Sequence, residues 1–111
     1  MPPRFHSDVV DVALPVPIAL LCYHVAREGV MNASMHGKPQ DVWVTVAQIE
    51  GEIVLRVRDN GIGFDPGTLE TTPNSGIAMM LERVDTGRGA LEITSSPDTG
   101  TMVTATFPLA D

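Results

Sequence analysis

Aromatic residues, cations and long apolar runs are all scarce in this chain. Its 111 residues include one Trp, one Tyr and three Phe, so Val, Ile, Leu and Met have to fill whatever core it forms. Lys and Arg number 7 against 14 Asp and Glu, a formal net charge of -7. That balance argues against nucleic acid or an anionic membrane as a direct partner, because both demand a basic face. The longest apolar run, residues 12–25, contains two prolines and His24 and is too short and too broken to span a bilayer. No signal-peptide pattern is visible. The lone cysteine, Cys22, has no partner for an internal disulfide and suits a reducing, cytoplasmic setting. Internal repeats and low-complexity tracts are absent from the sequence. With 43% apolar residues one modest core is expected, a single domain over 1–111 with 1–13 as an N-terminal strand or extension.

What is present is a pair of polar groups placed where a core is expected. Over residues 17–34, Ile18, Leu21, Cys22, Val25 and Ala33 recur on one face of a 3.6-residue period, with Gly29 on the same stripe. At roughly 100° per residue, Asn32 falls within that stripe between Leu21 and Val25, and Glu28 lies at its edge. A carboxylate and an amide turned inward are costly unless satisfied. Buried backbone partners or a bound ligand would each satisfy them.

A second period leads to the same place. In residues 53–58, Ile53, Leu55 and Val57 alternate with Arg56 and Arg58 facing the other way, so Asp59 ends the strand on the core side. Asn60-Gly61-Ile62-Gly63-Phe64 follows. Gly61 and Gly63 permit positive φ and let a ligand approach the backbone closely. A calcium loop would put Asp59 and Glu70 at its first and twelfth places, but its third, fifth and sixth places are Gly61, Gly63 and Phe64, which supply neither the ligands nor the turn.

The remaining elements follow from pattern and punctuation. Residues 5–12 read as an edge strand, Pro15 and Pro17 as a turn into the first helix, and Gly37 and Pro39 as its stop. Residues 42–49 alternate and turn back through Glu50-Gly51-Glu52 into 53–58, a hairpin. Residues 66–75 lack an apolar period and read as a loop. A helix is expected over 76–86, then strands over 90–95 and 102–107 around a turn at 97–100. These elements predict an α/β two-layer sandwich, a mixed sheet with helices on one face. Parity puts Thr101 on the inward face with Val103, Ala105 and Phe107.

Glu28-Gly-Val-Met-Asn32-Ala-Ser-Met-His36-Gly37 resembles the N box, and Asp59-Asn-Gly-Ile-Gly63-Phe the G1 box, of the GHKL ATP-binding domain of sensor histidine kinases. Ser75-Gly76-Ile77 to Val84, Leu91-Glu92-Ile93, Gly100-Thr101 and the closing Phe107-Pro108-Leu109 follow in register. The likeness spans about residues 14–109 and is nearest to the nitrate-sensor-like branch, whose lid is short. It implies ATP and Mg²⁺ as cofactors, with Asn32 as the metal ligand. Asp59 would accept from the adenine amino group, and Gly61 and Gly63 would admit the base. Thr101 would hold a water beside it, although a turn role after Gly100 fits the residue type equally. Ser75 and Gly76 would offer a helix start to phosphate, and Ser75 is equally an N-cap. His36 would donate to a phosphate or act as a capping or solvated group. Glu28 would be catalytic, orienting or helping to deprotonate an acceptor histidine or polarising a metal-bound water.

The chain departs from that family at Met35, where a lysine is usual, at Asn74-Ser75-Gly76-Ile77-Ala78-Met79, which has lost lid glycines, and at Asp98. These changes should weaken the triphosphate clamp more than adenine recognition. None of His6, His24 and His36 lies on a recognisable dimerisation helix. The resemblance therefore implies the catalytic and ATP-binding domain of a two-component kinase. It would act on a histidine of a dimerisation domain outside this chain, in a parent protein free to carry a membrane anchor, with a response regulator downstream. The isolated chain is expected to be monomeric. Two alternatives share the fold: an anti-sigma factor serine kinase, and a non-catalytic scaffold whose altered lid no longer closes on nucleotide.

Overall fold

The computed structural model describes residues 4–9, 14–32, 39–61, 76–96 and 100–109. Among these residues, seven elements run in the order β1 (Arg4–Val9), α1 (Val16–Asn32), β2 (Asp41–Ile49), β3 (Glu52–Asp59), α2 (Gly76–Thr86), β4 (Ala90–Ser96) and β5 (Gly100–Pro108). The five strands form one sheet in the order β1-β2-β3-β5-β4. β1 pairs with β2 in parallel and the other three ladders are antiparallel. The sheet is mixed and both helices pack against its β3–β5–β4 region, as the alternating strands and the striped helix predict.

Alternation decides which face is buried. Ile53, Leu55, Val57 and Asp59 are buried along β3 while Arg56 and Arg58 are exposed. On β5 the buried set is Val103, Ala105 and Phe107. Val42 and Val46 of β2, Cys22 and Val25 of α1, and Met80 and Val84 of α2 complete the cluster. Each large side chain among them stabilises the fold by roughly 1.5–3 kcal/mol relative to exposure. Among the described residues Phe107 is the sole aromatic in this buried cluster, which aliphatic residues and Met otherwise fill.

Two connections set the geometry around the sheet. Ile49 pairs with Glu52, leaving a two-residue turn in which Glu50 (φ 51°) and Gly51 (φ 79°) are both left-handed; this twist matches that of the flanking strands. The expected three-residue turn is thus one residue shorter, because Glu52 already belongs to the ladder. α2 closes with the Gly89 N–H donating to the Val84 carbonyl at 2.8 Å and the Arg88 N–H to that of Asp85 at 3.0 Å, a Schellman arrangement with Arg88 (φ 58°) in the left-handed position. A glycine stands one place earlier, at 87, for packing: a Cβ there would lie 2.6 Å from the Phe107 ring and 2.8 Å from Leu21.

Where they can be compared, strand ends differ from expectation by at most two residues. β5 begins at Gly100, not at 102, because Asp59↔Thr101 and Ser96↔Gly100 continue the ladders on both sides. β1 is described over Arg4–Val9; its expected continuation to residue 12 lies outside the described residues, as does 33–38, where the first helix is expected to end.

Candidate functional site

Registers of three ladders bring Val42, Asp59, Thr101 and Ser95 into one row across β2, β3, β5 and β4. The row continues the parity of Val57 and Val103, so it lies on the helix-bearing face at the sheet's end. Asp59 is 5% exposed, and its Oδ1 accepts the Gly61 N–H at 2.8 Å. A carboxylate has room for further donors beyond that one. The Ser95 hydroxyl donates to the Gly100 carbonyl at 3.0 Å and lies 2.8 Å from the Thr101 hydroxyl. Ser95 has one hydroxyl proton, so Thr101 donates to Ser95, and the lone pairs of Thr101 remain as acceptors. The rung therefore presents a carboxylate and a hydroxyl acceptor side by side.

Two glycines let the backbone close around this rung. Gly100 has φ 93°, and a Cβ there would overlap the Asp59 carbonyl. On α1, Gly29 is buried, and a Cβ would meet three carbons of the Val57 side chain at 3.2 Å. That close approach seats the last turn of α1 over β3, two residues from Asp59. Glu28, half-buried, precedes Gly29. Asn32 closes α1 three residues after Gly29, on the same helical stripe, and its backbone alone is described.

Of the residues singled out from sequence, then, Asp59, Gly61 and Thr101 come together, with the turn carrying Glu28 over the same strand. Gly76 opens α2. His36, Gly63 and Ser75 lie outside the described residues.

Sequence reasoning missed three participants. Ser95 was findable: Leu91, Ile93 and Ser95 alternate on β4 just as Ile53 to Asp59 do on β3, ending in an inward polar residue. Asn60 reads as a turn residue, yet its Oδ1 accepts the N–H groups of Gln40 (3.0 Å) and Asp41 (2.8 Å), and its Nδ2 donates to Asp41 Oδ2 at 3.2 Å. Asp41 is the third, 8% exposed and bound by the Arg4 guanidinium through Nε at 2.9 Å and Nη2 at 3.1 Å, and by His6 Nε2 at 2.8 Å. Arg4 foremost, then His6, holds the Asp41 carboxyl down at about 2. His6 stacks on Trp43 with ring centroids 5.5 Å apart, and the Arg58 guanidinium lies 4.7 Å from the Trp43 ring. A hollow of about 260 Å³ at this end of the sheet is lined by Asp59, Ser95, Gly100 and Thr101 together with Arg58, Thr94 and Met102 of the neighbouring, outward-facing row.

Comparison with known proteins gives the class. The family described as histidine kinase-, DNA gyrase B-, and HSP90-like ATPase matches residues 18–111, and the chain belongs to it. The signal transduction histidine-protein kinase/phosphatase DegS of Bacillus subtilis is 30% identical over 94% of this chain and 28% of its own length. The nitrate/nitrite sensor protein NarX of Escherichia coli is 31% identical over 96% of this chain and 16% of its own, in keeping with the nitrate-sensor-like resemblance. The oxygen sensor histidine kinase NreB of Staphylococcus carnosus is 31% identical over 97% and 31%. The chain thus spans less than a third of these relatives. The histidine kinase domain of the blue-light activated kinase of Erythrobacter litoralis superposes with a TM-score of 0.82 at 22% identity, over 96% of this chain and 51% of that one, which shows the shared fold. Among the described residues, no helix is long and apolar enough to cross a membrane.

Proposed function

We propose that this chain is the catalytic and ATP-binding part of a two-component sensor histidine kinase. It binds Mg-ATP and presents the γ-phosphate to a histidine on a dimerisation domain of its parent protein, with a response regulator downstream. The single observation that carries the reading is the nearly buried Asp59, held by the Gly61 N–H beside the Thr101 hydroxyl at the end of the sheet, in a chain of this ATPase family. A fixed inward acceptor of this kind matches the amino group of adenine, and Thr101 would accept a hydrogen bond from a water at the same edge.

Asn32 is the residue proposed to hold Mg²⁺, whose preference for oxygen ligands and retained waters makes one side-chain carbonyl plus phosphate oxygens a sufficient site. The bound metal supplies charge neutralisation on the phosphates. Gly76, which opens α2, Ser75 before it in the sequence, and His36 are assigned to the phosphates. Glu28 orients or deprotonates the acceptor imidazole. Transfer then rests on positioning and charge neutralisation, with no covalent intermediate on this chain.

Calorimetric titration of a non-hydrolysable ATP analogue, with and without Mg²⁺, tests the reading. Saturable binding is expected, weakened at least about tenfold in Asp59→Asn, with the Mg²⁺ effect lost in Asn32→Ala. A folded wild-type chain that binds no nucleotide would refute it.

A further inference from the structure

The residue between Asp59 and Gly61 is tied to the start of the neighbouring strand β2. Asn60 makes four hydrogen bonds to the start of β2: the three through its side chain, and one from its own N–H to the Asp41 carbonyl at 3.3 Å. Its backbone therefore has little freedom, and that backbone aims the Gly61 N–H at Asp59. The Asp41 side chain is equally committed. Oδ1 receives Arg4 Nε and His6 Nε2, and Oδ2 receives Arg4 Nη2 and Asn60 Nδ2, which fills the four acceptor positions of a carboxylate.

Arg4 and His6 belong to β1, an edge strand that, among the described residues, pairs in the sheet with β2 alone. Residues 4–8 are all exposed, so they contribute little buried apolar surface and are held by their ladder, by this clasp and by the stack of His6 on Trp43. Strands with few buried contacts open at low free energy. When β1 leaves, Asp41 loses three of its four donors and Asn60 keeps a partner no longer held in place.

We propose that Asp41 and Asn60 are positioning residues for the nucleotide site and that, through Arg4 and His6, they make nucleotide affinity depend on the docking of β1. The inference rests on Asp59 as the base acceptor. Coupling between two sites is reciprocal, so nucleotide must in turn tighten β1.

Both directions are measurable on the whole chain. Asn60→Ala is expected to weaken binding of the ATP analogue about tenfold, and the double variant Arg4→Ala/His6→Ala about fivefold, as typical coupling energies allow. Asp8→Ala, on the same strand outside the clasp, should bind like wild type. The readout that a merely structural role would not move is hydrogen exchange at the Arg4 amide, which donates to the Gln40 carbonyl at 2.8 Å. Saturating nucleotide should slow it several-fold in wild type and leave it unchanged in Asn60→Ala. Should Asn60→Ala not fold, the Arg4/His6 pair decides. Wild-type affinity in that double variant, or β1 exchange indifferent to nucleotide, overturns the inference while the ATP reading stands. A folded wild type that binds no nucleotide overturns both.

Discussion

Replacing Gly100 by alanine separates a backbone preference from a contact at the site. Gly100 and Gly51 both have positive φ, 93° and 79°, a region that costs an L-residue about 1–2 kcal/mol. Both replacements also recover about 0.4–1 kcal/mol by restricting the unfolded chain. A Cβ on Gly51 meets nothing within 4 Å, so Gly51→Ala should destabilise by about 0.5–1 kcal/mol, or roughly 4 °C in Tm for a domain of this size. On Gly100 the Cβ would overlap the Asp59 carbonyl. Backbone cannot swing aside as a side-chain tip can, so relief means parting β3 from β5 at the Asp59–Thr101 rung, with ladder hydrogen bonds worth about 0.5–1.5 kcal/mol each. Gly100→Ala should therefore cost about 2–4 kcal/mol, roughly 10–15 °C. Thermal unfolding of the two variants, followed by circular dichroism, gives the difference free of the shared terms. Equal shifts in Tm would refute the close approach of Gly100 to Asp59.

Three further outcomes follow from the same geometry. Arg88→Gly should raise stability by about 0.5–1 kcal/mol in denaturant titration, since Arg88 occupies the left-handed cap of α2 at φ 58°. Asp41, held at about 2 against an ordinary 3.8, stabilises the fold above its unfolded pKa, and that contribution is lost as pH falls through about 2. Asp41→Asn should thus lie below wild type in Tm at neutral pH and approach it between pH 4 and pH 2; a constant gap across that window would count against the clasp. Cys22 is 5% exposed and burial pushes its thiol up, so thiol reagents should label the native chain only through opening, at a rate that rises with denaturant.

The sequence is most informative where one local period reports burial. β3 shows its inward face through Ile53, Leu55 and Val57, and Asp59 inherits that face by parity alone. α2 matches its expected span, and the Glu50–Gly51 turn is visible as a break between two alternating runs. The parallel partner of β1 is not legible, because register between residues 37 apart in the sequence leaves no local signal. That register is what joins Arg4 and His6 to Asp41. Asn60 shows the same limit: its residue type says turn, while its partners come from a distant segment. At Gly87 the deciding contacts, with Phe107 and Leu21, are likewise tertiary.

The role of Asp59 as the residue that reads the base is tested by comparing ATP with ITP, which carries an oxo group in place of the adenine amino group, against wild type and Asp59→Asn in one calorimetric cycle. A hydrogen bond to a charged acceptor is worth about 1.5–3 kcal/mol, so wild type should prefer ATP by at least about tenfold, and Asp59→Asn should lose that preference. The same ATP-to-ITP ratio in both proteins would contradict the assignment of Asp59 as the residue that reads the base.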